Sequence, residues 1–403
     1  MIQSIVHKKK INVVALGARD YYEVAIGLSE KGALGCLVTD FYCPRLLRSF
    51  VKKRFSPRLD SKNTISIWWL LILIKIPLAI VFRDKAKMNP FVDLVFGYVA
   101  AFITYVTGRN AVVYSYYALG FAKFIRHFNV KNLEYVVFQV HPTPWFVSEV
   151  LSLDQAKHTQ KGGGIFRAEQ DINWSASACT EYFDVLKSAS GIICASEVTK
   201  KSLIYNYKNV ENVRVAPYGS RFEYCTTLRQ NHGKLKLLTV SSVSQRKGFH
   251  YAFNAVKGID GLSWTIIGGN PDQEIVKMAP EWVTFTDRVS DEELSVYFSE
   301  CDLFIMPSLV EGFGLVYLEA ISQGAAILCS NQTGISEVVK DYESALIVTI
   351  GSVQEISERI YWALSHRSEL SVLSKNAKTA CAHMNWDNFE RLTSDAAYDF
   401  FNK

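Results

Sequence analysis

The stretch Leu303-Phe304-Ile305-Met306-Pro307-Ser308-Leu309-Val310-Glu311-Gly312-Phe313-Gly314-Leu315-Val316-Tyr317-Leu318-Glu319-Ala320 decides the reading of this chain. Leu303 to Ser308 is an apolar run of strand length, and Leu315 to Gln323 is a helix ended by Gly324. Ala325 to Ser330 is a second strand. That order is a βαβ crossover, the connection between parallel strands. Gly312 and Gly314 let the main chain come close to a ligand where a helix N-terminus presents unpaired N–H groups, which suits phosphate. Two acids beside such a site need another task. Glu311 lies in the loop and Glu319 about one turn inside the helix, so each can grip hydroxyls on a different part of one long ligand. The alternative is an acid favoured by the helix dipole plus an ordinary exposed helical glutamate.

Working outward, the same alternation recurs on both sides. Strands are expected at Ile11 to Leu16, Leu34 to Asp40, Ala111 to Tyr114, Tyr135 to Val140, Gly191 to Ala195 and Asn212 to Ala216. Helices are expected at Tyr22 to Glu30 and Gly120 to Phe128. Pro217-Tyr218-Gly219-Ser220 breaks the pattern, which restarts with strands at Lys236 to Val243, Trp264 to Ile267 and Trp282 to Phe285. Strands alternating with helices imply parallel sheets covered on both faces. A chain of 403 residues is long enough for two such domains. The expected fold class is α/β with two doubly wound, Rossmann-like domains facing across a cleft, where strand ends place ligands. The division is 1–216, 217–375 and a C-terminal helix in 376–403 that packs back on the first domain.

Composition excludes several classes. With 49% hydrophobic and 21% charged residues the chain is globular. A net charge of +5 does not call for nucleic acid. The eight cysteines are scattered, without a C-x-x-C pair or metal-ligand spacing, a pattern expected of a reduced, cytosolic protein. The basic residues 1–10 precede a strand rather than an apolar signal core.

Ser244-Gln245-Arg246-Lys247-Gly248 supplies a second constellation. Two cations at the start of a helix oppose its dipole, and an anion such as a diphosphate would reconcile them. A solvated basic turn is the alternative. Together these residues resemble a family. Pro307-Ser308, Glu311-Gly312-Phe313-Gly314-Leu315, Glu319-Ala320, Gly324 and Gly334-Ile335-Ser336-Glu337-Val338-Val339 are similar to the signature of family-4 glycosyltransferases, whose fold is termed GT-B. Arg246-Lys247-Gly248, Ile267-Gly268-Gly269, Pro217-Tyr218-Gly219 and Trp386 are weaker echoes. The likeness is dense from Gly191 to Val348 and thin before it.

The resemblance implies a retaining, metal-independent, hexosyltransferase-type enzyme that uses a nucleotide-diphosphate sugar and no cofactor. It implies that Glu311 holds the sugar hydroxyls, Glu319 the ribose, and Arg246 with Lys247 the diphosphate. Gly312, Phe313, Gly314 and Leu315 would then line the donor. Where the family has Gly-Arg, this chain has Ser241-Ser242, so one cation is missing and Arg246 is expected to replace it. His141, after the strand Tyr135 to Val140, is the candidate contact to the transferred sugar or acceptor; a structural hydrogen-bonding role is the alternative. Gly17 resembles the small residue that lets the domains close on the donor, or is a simple turn glycine.

An acceptor-side signal lies in residues 45–82. Arg45, Arg48, Lys52, Lys53, Arg54, Arg58 and Lys62 precede Trp68-Trp69-Leu70-Leu71-Ile72-Leu73-Ile74. Lys75 and Pro77 interrupt the apolar run, so it suits a membrane interface better than a bilayer span. A buried helix beside a solvated loop is the alternative. The expected partners are therefore a nucleotide sugar, a glycan or lipid-linked acceptor and an anionic membrane surface, without nucleic acid. The protein would sit at the inner face of the membrane. Two rival functions remain open: a non-hydrolysing sugar-nucleotide epimerase, and a catalytically silent glycan-binding partner subunit.

Overall fold

Short β-branched and leucine-rich runs, mostly buried except at edge strands, fold into two parallel sheets. The computed structural model describes residues 9–43, 54–81, 85–167, 176–207, 210–220 and 233–402. The strands are β1 (Ile11–Val14), β2 (Leu34–Thr39), β3 (Thr64–Ser66), β4 (Asn110–Tyr114), β5 (Glu134–Gln139), β6 (Gly191–Cys194) and β7 (Val213–Val215). They continue with β8 (Leu235–Val240), β9 (Leu262–Ile267), β10 (Val283–Thr286), β11 (Leu303–Met306), β12 (Ala326–Ser330) and β13 (Leu346–Val348). The first sheet has seven strands in the order β3-β2-β1-β4-β5-β6-β7, and the second has six in the order β10-β9-β8-β11-β12-β13. Pairing is parallel in both.

Both orders reverse direction once, between β1 and β4 and between β8 and β11. Such a reversal leaves a crevice beyond the carboxyl ends of the flanking strands, since the helices that follow them leave on opposite faces. The expected two-domain doubly wound architecture is therefore present. Among the elements that the sequence-based expectations did not include are the edge strands β3 and β13 and the helices Lys85–Thr107 and Pro144–Gln160. The first helix is apolar on most of its circumference and the second has almost no amphipathic stripe, so neither shows the helical period that marks an ordinary surface helix.

Two helices cross between the halves. Helix Trp386–Phe401 packs against helix Glu23–Glu30, and Gly27 permits the approach: a Cβ there would lie 2.6 Å from the Glu390 carbonyl oxygen. Arg58 donates to both carboxylate oxygens of Glu390 at 2.7 Å and reaches Glu23 at 3.3 Å. Burial first, and then the hydrogen bond to Glu390, push the Glu23 carboxyl up to about 9. In the other direction, helix Pro144–Gln160 carries the buried Asp154 onto the second half. Asp154 accepts from Tyr251 at 2.6 Å and from Gln245 at 2.7 Å, and pairs with His250 at 3.1 Å.

Candidate active site

The crevice at the β8/β11 reversal is formed by the loop after β8 and the loop after β11. Gly248 has φ +74°, and a Cβ on it would lie 2.1 Å from the Pro307 carbonyl oxygen, so only glycine lets the two loops nest. The Leu309 N–H donates to the Arg246 carbonyl at 2.8 Å. These contacts bring Arg246 and Lys247 against Glu311. Arg246 Nη1 donates to Glu311 Oε2 at 2.9 Å, and Lys247 Nζ donates to the same oxygen. Glu311 is only 4% exposed, and its own N–H is held by the Gln332 carbonyl at 3.0 Å. Burial opposes its ionisation, but the charges of Lys247, Arg246 and His141 outweigh it and hold the carboxyl well below the usual carboxylate range.

The first half reaches directly onto this loop. A Cβ on Gly312 would lie 2.8 Å from the Val140 carbonyl oxygen and 3.3 Å from His141 Cα. Ser196 Oγ donates to the Gly312 carbonyl at 2.5 Å while accepting from Thr199 N at 3.0 Å as the cap of helix Glu197–Asn206. His141 is positioned by its carbonyl, which accepts from Gln139 Nε2 at 2.6 Å. Tyr182 in turn donates to Gln139 Oε1 at 2.5 Å. The imidazole stands edge-on to Tyr116 with ring centres 6.2 Å apart.

The structure thus brings Glu311, Arg246, Lys247, Gly312 and His141 together at one junction. Gly314, with φ +79°, caps helix Leu315–Ser322. Glu319 lies on that helix and is 7% exposed. Leu315 is half-buried. The Phe313 ring is buried against Tyr218, centres 5.8 Å apart, so this residue offers a ligand main chain rather than side chain. Ser241 and Ser242 pack against Gly268, where a Cβ would lie 2.3 Å from the Ser241 carbonyl oxygen.

Gly17 occupies the other reversal, after β1. Its N–H donates to Asp40 Oδ1 at 2.9 Å, and Arg54 Nη1 holds the same oxygen at 2.7 Å. The sequence reading placed Arg54 in an outward basic run and did not single out Asp40, Gln139 or Ser196. Asp40 follows the end of β2, Gln139 is the last residue of β5 and Ser196 caps the helix after β6; these positions can be read from the sequence, but the contact each one makes cannot. Following Gly17, Asp20, Tyr21 and Tyr22 all have positive φ, at 50°, 51° and 69°, a costly conformation for residues with side chains. The Asp20 carboxylate accepts from the Tyr114 hydroxyl at 2.5 Å.

The basic run divides. Arg45, Arg48, Lys52 and Lys53 lie outside the described residues. Arg54 and Arg58 turn into the fold, on Asp40 and on Glu23 with Glu390, which corrects the expectation that both face a membrane. The tryptophans do face outward: Trp68 and Trp69 are about half exposed, while Leu71 is buried.

Comparison with known proteins agrees with this geometry. Residues 220–380 match the family described as glycosyl transferases group 1. O-antigen chain mannosyltransferase B of Escherichia coli is 32% identical over 115 residues, covering 28% of this chain and 30% of that protein. A GDP-mannose-dependent alpha-(1-6)-phosphatidylinositol monomannoside mannosyltransferase of Mycobacterium tuberculosis is 27% identical over 177 residues, covering 40% of this chain and 46% of that protein. The chain thus spans less than half the length of these curated relatives. Among solved structures, sucrose-phosphate synthase of Thermosynechococcus elongatus superimposes with a TM-score of 0.68 at 15% identity, covering 98% of this chain and 99% of that one. Anabaena HepE, solved with UDP-glucose, gives 0.63 at 15% identity over 96% of this chain and 98% of that one. The fold is GT-B, and residues 220–380 carry a glycosyl transferases group 1 domain.

Proposed function

We propose that this protein is a retaining, metal-independent glycosyltransferase that moves a hexose from a nucleotide-diphosphate sugar to a lipid-linked glycan during polysaccharide or glycolipid synthesis. The observation that carries the reading is the Glu311–Arg246–Lys247 knot, buried at a sheet reversal, with the His141 main chain of the other half lying against the adjoining Gly312. A donor seated there presents its diphosphate to two cations and its sugar hydroxyls to a carboxylate that stays ionised. As the glycosidic bond breaks, negative charge builds on the diphosphate, and Arg246 and Lys247 stabilise it where it develops. Glu311 orients the sugar, Glu319 takes the ribose, and His141 faces the transferred sugar or the incoming acceptor hydroxyl, which attacks from the same face as the departing diphosphate.

The relatives named above as mannosyltransferases make GDP-mannose the first donor to test. The enzyme is proposed to work from the cytoplasm at an anionic membrane surface, with Trp68 and Trp69 at the headgroup level. The test is incubation with GDP-mannose, UDP-glucose and ADP-glucose, with and without a membrane extract as acceptor. Acceptor-dependent release of a nucleoside diphosphate supports the reading, and NMR of the product reports the anomeric configuration. Interconversion of the nucleotide sugar without release would assign an epimerase. Glycan binding without turnover of any donor would assign a silent subunit.

A further inference from the structure

The outward surface of the first half has a feature that the donor site does not use. Twenty large apolar side chains among the described residues are exposed, and eight of them lie on helices Trp68–Val81 and Lys85–Thr107, so apolar exposure is concentrated there. On the longer helix, Leu94, Tyr98, Phe102 and Tyr105 succeed one another at spacings of four, four and three, which aligns them in one stripe. Phe102 and Val106 are 56% and 67% exposed. The stretch Asn89–Thr107 is long and apolar enough to cross a membrane by composition, yet a third of it is buried against the protein. Such a helix is held to the fold by one face and bares the other.

A groove of about 570 Å³ runs beside the stripe, with Leu94, Val95 and Tyr98 on one wall and Lys123, Arg126 and His127 on the other. The anion facing these cations is Glu181 from helix Ala176–Ser188, 3.0 Å from Lys123 and 3.8 Å from Arg126. Among the described ion pairs of the groove, this is one carboxylate for two permanent cations, a net positive balance. Arg109 lies over the Tyr105 ring at 4.4 Å, and the half-exposed Phe128 stands against Tyr98 at 6.1 Å. Cations next to outward aromatic rings match the interface of an anionic bilayer, where phosphate meets the top of the acyl chains.

We propose that this groove and stripe form a docking site for an anionic phospholipid surface, with Lys123 and Arg126 taking headgroup phosphate and Phe102 and Val106 entering the acyl boundary. The inference rests on the membrane part of the proposed function and places a second contact beyond the tryptophans.

The experiment is co-sedimentation with vesicles of phosphatidylcholine alone and with added phosphatidylglycerol, at low salt, with nucleoside diphosphate binding measured in parallel. Wild-type protein should bind the anionic vesicles and bind phosphatidylcholine weakly. The double variant Lys123→Ala/Arg126→Ala should lose about thirtyfold, two residues at about 1 kcal/mol each. Glu181→Gln should bind about fivefold more tightly, because it releases both cations from their counter-ion; a merely structural role for these residues predicts no gain. Phe102→Ser/Val106→Ser should weaken binding to the same vesicles, and nucleotide affinity should stay unchanged in all. If only Trp68→Ser/Trp69→Ser releases the protein, the groove is not a lipid site and the anchor lies elsewhere. If Phe102→Ser/Val106→Ser dissolves a dimer in sedimentation velocity without changing vesicle affinity, the face belongs to a second copy. Absence of vesicle binding by wild type removes both this inference and the membrane placement, whereas donor turnover decides glycosyl transfer separately.

Discussion

Replacing Glu311 by Gln takes one negative charge from a knot that holds two positive ones. Arg246 and Lys247 side chains are only 21% and 13% exposed, so water replaces the lost carboxylate poorly. Removing one partner of a buried ion pair costs about 3–5 kcal/mol, and the residual exposure of the cations places this variant near the lower end, about 3 kcal/mol. Urea unfolding followed by tryptophan fluorescence measures it. Catalysis should fall by about 10²–10³, the usual effect of deleting one preorganised polar contact at a reacting centre. Nucleotide affinity should move the other way. With Glu311 neutral, both cations lose their internal counter-ion and meet the diphosphate unopposed, so GDP or UDP should bind about tenfold more tightly, about 1.4 kcal/mol. Calorimetric titration decides it. Weaker nucleotide binding in Glu311→Gln would refute the reasoning, since it would mean that Glu311 is needed to aim the cations and not to hold the sugar. The pH dependence has a definite sign. A carboxylate held below its ordinary value of about 4.3 contributes stability that is present above that value and lost as pH falls through the lower, folded one. The knot should therefore persist at mild acidity, and wild type should keep its advantage over Glu311→Gln near pH 5.

Replacing Arg246 and Lys247 together by Ala should abolish most turnover and weaken nucleoside diphosphate binding, at about 1.5–3 kcal/mol per charge-assisted contact; near-normal kinetics would show that other cations, such as Arg54 beside Gly17, neutralise the diphosphate. Gly312→Ala places a methyl 2.8 Å from the Val140 carbonyl and should cost about 1–3 kcal/mol in unfolding while lowering kcat more than nucleotide affinity. Unchanged kcat would show that the junction does not have to be this close. Glu23 is a carboxyl raised to about 9, so the folded state binds its proton more tightly than the unfolded chain and stability should fall as pH rises from about 5 toward about 9. Glu23→Gln should lack this dependence, read as a melting temperature that wild type loses relative to the variant on going alkaline.

Much of the fold was legible because its strands are short apolar runs set between turn residues, and this pattern survives whatever packs on it. Strands such as β5, β9 and β12 lie within one or two residues of their expected bounds. The helix Lys85–Thr107 was not legible, since a helix that packs on one face and bares apolar residues on another has no polar stripe to set its period. In the site, Glu311, Gly312, Arg246 and Lys247 were readable as types at loop positions, but not the partner each one has. The sequence reading assigned the carboxylate to one part of a ligand and the cations to another; the structure joins them. Ser196 and Gln139 carry no distinguishing motif. Their roles arise from tertiary contacts to Gly312 and His141 that no local pattern encodes.

The two halves meet through main chain and small side chains at Gly312 and Ser196, and through a charged cluster at Asp154. Gln245 links that cluster to the donor cations. Its amide donates to the Leu151 carbonyl at 2.8 Å and to Asp154 Oδ2 at 2.7 Å, and the next residue is Arg246. Helix Pro144–Gln160 begins three residues after His141. One helix therefore starts just beyond His141 and, through Asp154, holds the turn that presents Arg246 and Lys247. Asp154→Asn keeps the size of the side chain but removes the charge that pairs with His250 and accepts from Tyr251. Weakening these buried hydrogen bonds to a carboxylate should cost about 1.5–3 kcal/mol and should release the aim of Arg246. The expected kinetic signature is a fall in kcat with His141 and both cations still in place, measured with acceptor at saturation. If Asp154→Asn loses stability but turns over donor at the wild-type rate, the helix serves only to join the halves, and the cation turn is set by its own nest against Pro307.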